Sequence, residues 1–245
     1  MLGPKVDRWL RVLVLAGAAV SPGCGGGGGD GDPADAGTGP ADAPIGPGSA
    51  TLLIVGECVA ANPNNAADAD GLRVDCEVRL SKEGVPVTDG QVRINPAPPA
   101  IQTQLIPLES DPSTYTGFYV PYGFSARISV TAGADFLGET TISGPGIHQI
   151  ERPNTGMSVV AGQPLTVTWG RPDTAAGSDV RLESGFEALD LPDPGTYDVP
   201  GADVLPGMDR VSVRRWRRNP LGVGAAPGSQ IEFGVDTEQR FTVVE

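Results

Sequence analysis

From Leu72 to Leu80 the chain alternates without a break. Leu72, Val74, Cys76, Val78 and Leu80 fall on one parity, and Arg73, Asp75, Glu77 and Arg79 on the other. A period of two sends successive side chains to opposite faces, so this stretch predicts a strand with one buried and one wet face. Leu52, Ile54 and Cys58 share a parity in the preceding apolar run, which makes a cross-strand Cys58–Cys76 bridge geometrically feasible. Two buried free thiols are the other reading of the same parity. Further apolar segments follow at short spacing: Val92 and Ile94, Ile101 to Leu108, Tyr115 to Val120, Ala126 to Val130, and Phe136 to Ile142. Asp89-Gly90, Asn95-Pro96, Asp111-Pro112, Tyr122-Gly123 and Ala132-Gly133 read as turns between them. Many short strands punctuated this often predict an antiparallel sandwich or barrel.

A second run of the same style follows Gly144-Pro145-Gly146, which reads as a hinge. Leu165-Thr166-Val167-Thr168-Trp169 alternates cleanly, and Ile231, Phe233 and Val235, then Phe241 and Val243, predict two closing strands. The L-x-V-x-W pattern ending at Trp169 resembles the second strand of fibronectin type III and related immunoglobulin-like domains. Pro172 and the Leu205-Pro206-Gly207 turn before Val211-Ser212-Val213 fit the same family. The resemblance covers roughly residues 150–245 and implies that Trp169 is buried between two sheets. The family's tyrosine after that turn is absent, and Arg210 stands nearest to its place. The expected fold is therefore all-β: two tandem antiparallel β-sandwich (immunoglobulin-like) domains, at 51–145 and 146–245.

The N-terminus follows another pattern. Lys5, Arg8 and Arg11 precede a short apolar run, Val12 to Val20, and small residues lead to Cys24. That run is too short for a bilayer span of about 20 residues and has the proportions of a signal peptide, residues 1–23. With Gly23 before Cys24, the leader resembles bacterial lipoprotein precursors, in which cleavage precedes a cysteine that becomes lipid-modified. The resemblance implies lipid attachment at Cys24, although Ser21 stands where the family prefers leucine. Ordinary secretion, with cleavage after Ala18, is the competing reading. Residues 24–50 are rich in Gly, Pro and Asp with one branched aliphatic residue, Ile45, and are expected to form a disordered tether. The Gly25–Gly29 run lacks the strand, helix and Lys-Ser/Thr pair of a phosphate-binding loop.

Charge narrows the partners. The chain carries a formal charge of -13. Without residues 1–23, which hold Lys5, Arg8, Arg11 and Asp7, 14 of the 17 basic and 29 of the 30 acidic residues remain, or -15. Nucleic acid attracts proteins through clustered Lys and Arg and is not an expected partner. Cys58 and Cys76 stand 18 residues apart, and a bridge between them requires an oxidising compartment.

Little in the chain points to catalysis. His148 is the one histidine, in the hinge region, so a Ser-His-acid relay has a single candidate centre; a solvated linker residue is its plainer reading. Gly123-Phe124-Ser125-Ala126-Arg127 opens like a nucleophile elbow but lacks the closing glycine. Asp68, Asp70 and Asp75 around Gly71 fall short of a calcium loop. No cofactor or metal site is expected. The most unusual stretch is Arg214-Arg215-Trp216-Arg217-Arg218, a candidate ligand patch for an anionic glycan or phosphate-bearing surface. Its plainer reading is a strand end whose arginines pair with surplus carboxylates. The expected function is non-enzymatic: an exported, lipid-anchored protein of the outer membrane or cell surface, with a periplasmic position also open. Its sandwiches would bind or space another protein or a polysaccharide. The alternative is an enzyme acting on envelope polysaccharide through unidentified carboxylates.

Overall fold

The computed structural model describes residues 51–96, 102–171, 178–183 and 188–245. The expected signal peptide, the tether with Cys24, and Ile101 and Pro172 lie outside them. All described residues fall within one compact unit, Ile45–Glu245.

The first run of alternating sequence forms β1 (Leu52–Asn62), β2 (Val74–Lys82), β3 (Val85–Pro86), β4 (Gln91–Pro96), β5 (Thr103–Leu108), β6 (Asp111–Tyr119), β7 (Ser125–Ala132) and β8 (Asp135–Ser143). The second forms β9 (Ile150–Arg152), β10 (Ser158–Val160), β11 (Leu165–Trp169), β12 (Asp179–Glu183), β13 (Leu189–Pro192), β14 (Thr196–Val199), β15 (Arg210–Pro220), β16 (Gln230–Arg240) and β17 (Thr242–Val244). The described residues contain no α-helix, only a single 3-10 turn at Gly201–Asp203. The fold is all-β, as its periodicity predicts. Two expected turns differ: Asn95-Pro96 ends β4 and Asp111-Pro112 opens β6. At each site the proline, which has no N–H to give to a ladder, stands near a strand end.

A base sheet runs β13-β12-β15-β16-β1-β2-β6. Every pairing in it is antiparallel except one: β1 lies parallel to β16, from Val55 opposite Gln230 to Asn62 opposite Thr237. β5 then carries the path off the base, pairing with β6 through Ile106–Leu108 and with β4 through Thr103 to Leu105. Its register shifts at Pro107/Leu108, where the missing proline N–H suits an interrupted ladder. β4, β7 and β8 form the cover over the first half of the base, and β9, β11 and β14 form a separate cover over the second.

Two apolar cores lie beneath these covers. In the first, the buried parity of β2 (Val74, Cys76, Val78, Leu80) meets Val92, Ile94, Ile128, Val130, Leu137 and Ile142. In the second, Val180, Leu182, Val211 and Val213 meet Ile150, Leu165, Val167, Trp169 and Val199. The cores do not divide at the expected boundary after residue 145. Ile231, Phe233 and Val235 of β16, together with Leu221 and Ala225, belong to the first core. The reason is the parallel pairing, which draws β16 from Gln230 to Thr237 alongside β1.

Cys58 and Cys76 are directly opposite on β1 and β2 and form a disulfide, with 4.1 Å between their Cα atoms. That approach is typical of a non-hydrogen-bonded antiparallel pair. Both side chains lie in the first core, 0% and 3% exposed. Replacing both cysteines by alanine should lower stability by about 3 kcal/mol through the lost loop constraint. Urea unfolding of wild type against C58A/C76A measures it, and an unchanged midpoint would contradict it.

Candidate functional site

β15 is positioned by two neighbours, β12 on one side and β16 on the other, so its side chains alternate between the inner and outer faces of the base. This alternation divides the run Arg214–Arg218. Arg215 and Arg217 share the inner parity with Val211 and Val213. Arg214, Trp216 and Arg218 occupy the outer parity.

Arg215 is 1% exposed. Its Nε donates to Asp193 Oδ2 at 2.8 Å and its Nη2 lies 2.7 Å from the same oxygen. Nη1 donates to the Gly146 carbonyl at 3.3 Å. The Asp193 side chain is 9% exposed, and its other oxygen accepts the indole N–H of Trp169 at 2.8 Å. Trp169 is thus buried between the sheets, as its strand pattern implies, and its polar edge is tied to the same carboxylate. Two charges removed from water each lose several kcal/mol of solvation, which their attraction offsets only when the remaining donors are also satisfied. Here the Gly146 carbonyl and the Trp169 N–H complete that set.

His148 is not a solvated linker residue. It is 1% exposed, and its Nε2 donates to the Val213 carbonyl at 2.8 Å. Its own carbonyl accepts from Thr237 Oγ1 at 3.1 Å. The Gly144–Gly146 stretch around it is equally tied down. Gly144 N–H donates to the Phe124 carbonyl at 3.0 Å and the Tyr122 hydroxyl to the Pro145 carbonyl at 2.6 Å. A Cβ on Gly144 would collide with that hydroxyl, so glycine is required by close approach rather than by flexibility. From the β1–β2 loop, Asn65 adds another staple. It accepts from Ile150 N–H at 2.7 Å, donates to the Ile150 carbonyl at 2.8 Å and reaches Gln239 at 2.9 Å. These groups form a buried polar seam between the two cores. Sequence periodicity does not reveal it, because its members come from the β1–β2 loop, the linker, the loop after β13, β15 and β16.

The outer face is a lattice of charges around Trp216. Arg214 lies 2.6 Å from Glu57, Arg218 lies 3.2 Å from Glu232 and 3.7 Å from Asp179, and Arg181 lies 2.8 Å from Asp190. The Arg181 guanidinium stands 5.4 Å from the centre of the Trp216 ring, a cation–π distance. Trp216 is 3% exposed and sits beside Gly234, where a Cβ would come within 2.9 Å of its own. Its indole N–H has no hydrogen-bond partner. The run therefore does not display four guanidinium groups on one surface. Arg214 and Arg215 are buried, and Arg214, Arg215 and Arg218 each hold a carboxylate.

Other candidates resolve simply. Asp75 pairs with Arg73 at 2.6 Å, while Asp68 and Asp70 are exposed. Ser125 opens β7. Hydrogen bonds from Ser113 and Thr114 hold the Asp111 carboxyl below the usual carboxylate range, opposite to the shift a general acid needs. Among the described residues no group of three or more His, Cys, Asp or Glu side chains is arranged to hold a metal ion. A shallow recess of about 290 Å³ on the second lobe is lined by Arg152, Met157, Val160, Gln163 and Thr166, among others.

No family model matches the chain, and no curated protein matches it. Among solved structures, the Yersinia pseudotuberculosis adhesin InvE is similar at 13% identity and a TM-score of 0.26, over 79% of this chain and 59% of that one. The D0-D1 domain of intimin is similar at 12% identity and a TM-score of 0.26, over 76% of this chain and 96% of that one. This chain thus spans little more than half the length of the adhesin chain.

The seam and the lattice should respond differently to mutation. Asp193→Asn or Arg215→Leu leaves a buried partner uncompensated and should cost about 3–5 kcal/mol. Arg218→Ala, at an exposed pair, should cost less than about 1 kcal/mol. Urea unfolding of the three variants, followed by tryptophan fluorescence, separates the two classes; equal losses would refute the distinction.

Proposed function

We propose that this chain is a non-enzymatic, exported protein of the cell envelope, anchored through lipid on Cys24. Its two immunoglobulin-like sandwiches, behind a Gly/Pro/Asp-rich tether, bind or space another protein or a polysaccharide. The observation that carries this reading is the seam. A spacer or display module must hold its lobes in a fixed relation. Here a continuous sheet and the buried Arg215–Asp193–Trp169 set join the two cores. The one histidine is engaged in the same framework through the Val213 carbonyl.

The Cys58–Cys76 bridge supports export, because such bonds persist in oxidising compartments. The leader supports lipid anchoring: it ends in a cysteine followed by a glycine run, where acyl chains would supply about 0.8 kcal/mol per buried methylene. The acidic balance of -13 supports a partner other than nucleic acid.

Two measurements test the proposal. Wild-type protein extracted from cells should partition into the detergent phase and Cys24→Ser protein into the aqueous phase; identical partitioning would remove the anchor from Cys24. In a screen over polysaccharides and envelope fractions, binding without turnover is expected. Turnover abolished by a single Asp or Glu substitution would replace the binding module with an enzyme.

A further inference from the structure

We infer that the slot between β10 and β11 on the second lobe takes an extended segment of a partner protein. The segment adds as a strand to the free edge of β10 and brings a carboxylate to Arg152. The inference rests on the binding role proposed above and narrows its partner to protein.

A change of sheet makes the slot. β9 pairs with β11, with Arg152 opposite Thr168. The chain then leaves β11, and β10 pairs instead with β17, from Ser158 opposite Thr242 to Val160 opposite Val244. The start of β11 is left with no strand on its β9 side, and β10 with none on the side away from β17. The recess of about 290 Å³ is lined by Arg152, by residues of β10 and by the start of β11.

The backbone groups on its walls follow from the registers. Thr242 N–H donates to the Met157 carbonyl at 3.0 Å, and Ala161 N–H to the Val244 carbonyl at 2.8 Å. Met157, Val159 and Ala161 thus face β17, and alternation turns the backbone of Ser158 and Val160 to the opposite edge. The Val160 carbonyl accepts from Gln163 N–H at 3.2 Å. Ser158 N–H, Ser158 C=O and Val160 N–H have no partner among the described residues. On β11, Trp169 N–H donates to the Gly195 carbonyl at 3.0 Å, on the β14 side. Thr166 is of the other parity, so its backbone faces the slot. Unpaired edge groups of this kind are a template for a further strand.

The side chains distinguish the occupant. Met157 and Val160, 36% and 48% exposed, line the recess, and none of the described lining residues is aromatic. A sugar chain has no row of amides to match the edge and finds no ring here to lie on. A peptide supplies the amides. Arg152 then fixes its charge. Every other described arginine has a polar or ionic partner; Arg93 reaches Gln91, and Arg171 the Asp193 carbonyl. Arg152 is exposed and has none, in a chain with 30 acidic and 17 basic residues. Its planar fork matches a carboxylate, and no described carboxylate of the chain takes it. A second copy adding its β10 to this edge brings Met157-Ser158-Val159-Val160, which holds no acid. The segment that completes the slot is therefore an acidic strand of a different protein.

The test uses the full chain and capped, fluorescein-labelled peptides of alternating Thr and Val. A single Glu is placed at each position in turn, and a matching set carries Gln. Fluorescence anisotropy should show a Glu peptide binding and its Gln counterpart binding at least about fivefold more weakly. Arg152→Gln should make the two bind alike. No binding by any peptide at millimolar concentration, or a Glu preference that survives Arg152→Gln, overturns the proposal. Methylating the peptide amides of alternate residues should abolish binding in one parity and spare it in the other; equal effects overturn strand addition. Ser158→Pro removes a donor that β17 does not use and should weaken the Glu peptide at least about fivefold, with circular dichroism unchanged. If that variant loses its fold, the methylated peptides decide the same point. Sedimentation of the chain alone should show a monomer. A dimer dissolved by Ser158→Pro assigns the edge to a second copy and overturns the proposal. Binding to envelope fractions that persists in Arg152→Gln, with no peptide bound, removes this site and leaves the binding role standing. Turnover in the same screen removes the role itself.

Discussion

The structure depends on the parallel pairing of β1 with β16, which unites residues some 175 positions apart. Every other pairing in the base sheet is antiparallel. Parallel neighbours cannot be joined by a short turn and need a long crossover. Here the crossover is nearly the whole fold. Because β16 is also hairpinned to β15, this one pairing makes the base continuous and gives both cores the same floor. It also means that the first core is incomplete until the last strands of the chain arrive. Ile231, Phe233 and Val235 fill it from the far end of the sequence. Such non-local closure carries a large loop entropy and characterises slow-folding topologies. The disulfide between the neighbouring strands β1 and β2 constrains only their own loop of 18 residues and leaves that closure to the packing of β16.

Continuity of the sheet alone would leave the linker free to move. The polar seam removes that freedom. Gly146, His148 and Ile150 each give a backbone group to a side chain or backbone atom of another element. The buried Arg215–Asp193 pair is oriented by Trp169 and the Gly146 carbonyl. Buried charge is a poor source of net stability but is severe on alternatives, since any other arrangement leaves one partner unpaired. The seam thus specifies one relation between the lobes. That property connects the structure to the proposed role, because a display or spacer module works by transmitting position. The outer-face lattice, by contrast, is built from partly exposed ion pairs that keep the sheet solvated and contribute modestly.

By itself, the sequence determined the local elements. Alternation between Leu72 and Leu80 specified β2 and its faces, Leu165–Trp169 specified β11, and the shared parity of Cys58 and Cys76 anticipated their bridge. These features are legible because a strand's side-chain period is a property of neighbouring residues. The tertiary structure alone decided which strands became partners, and so how the open readings fell. His148 became a buried staple instead of a solvated linker residue, and the Arg214–Arg218 run took its plainer reading, divided between two faces and paired with Glu57, Asp193 and Glu232. A charge's partner can lie anywhere in the chain, and periodicity carries no record of sequence-distant pairing. For the same reason the floor shared by both cores could not be read before β16 was seen beside β1.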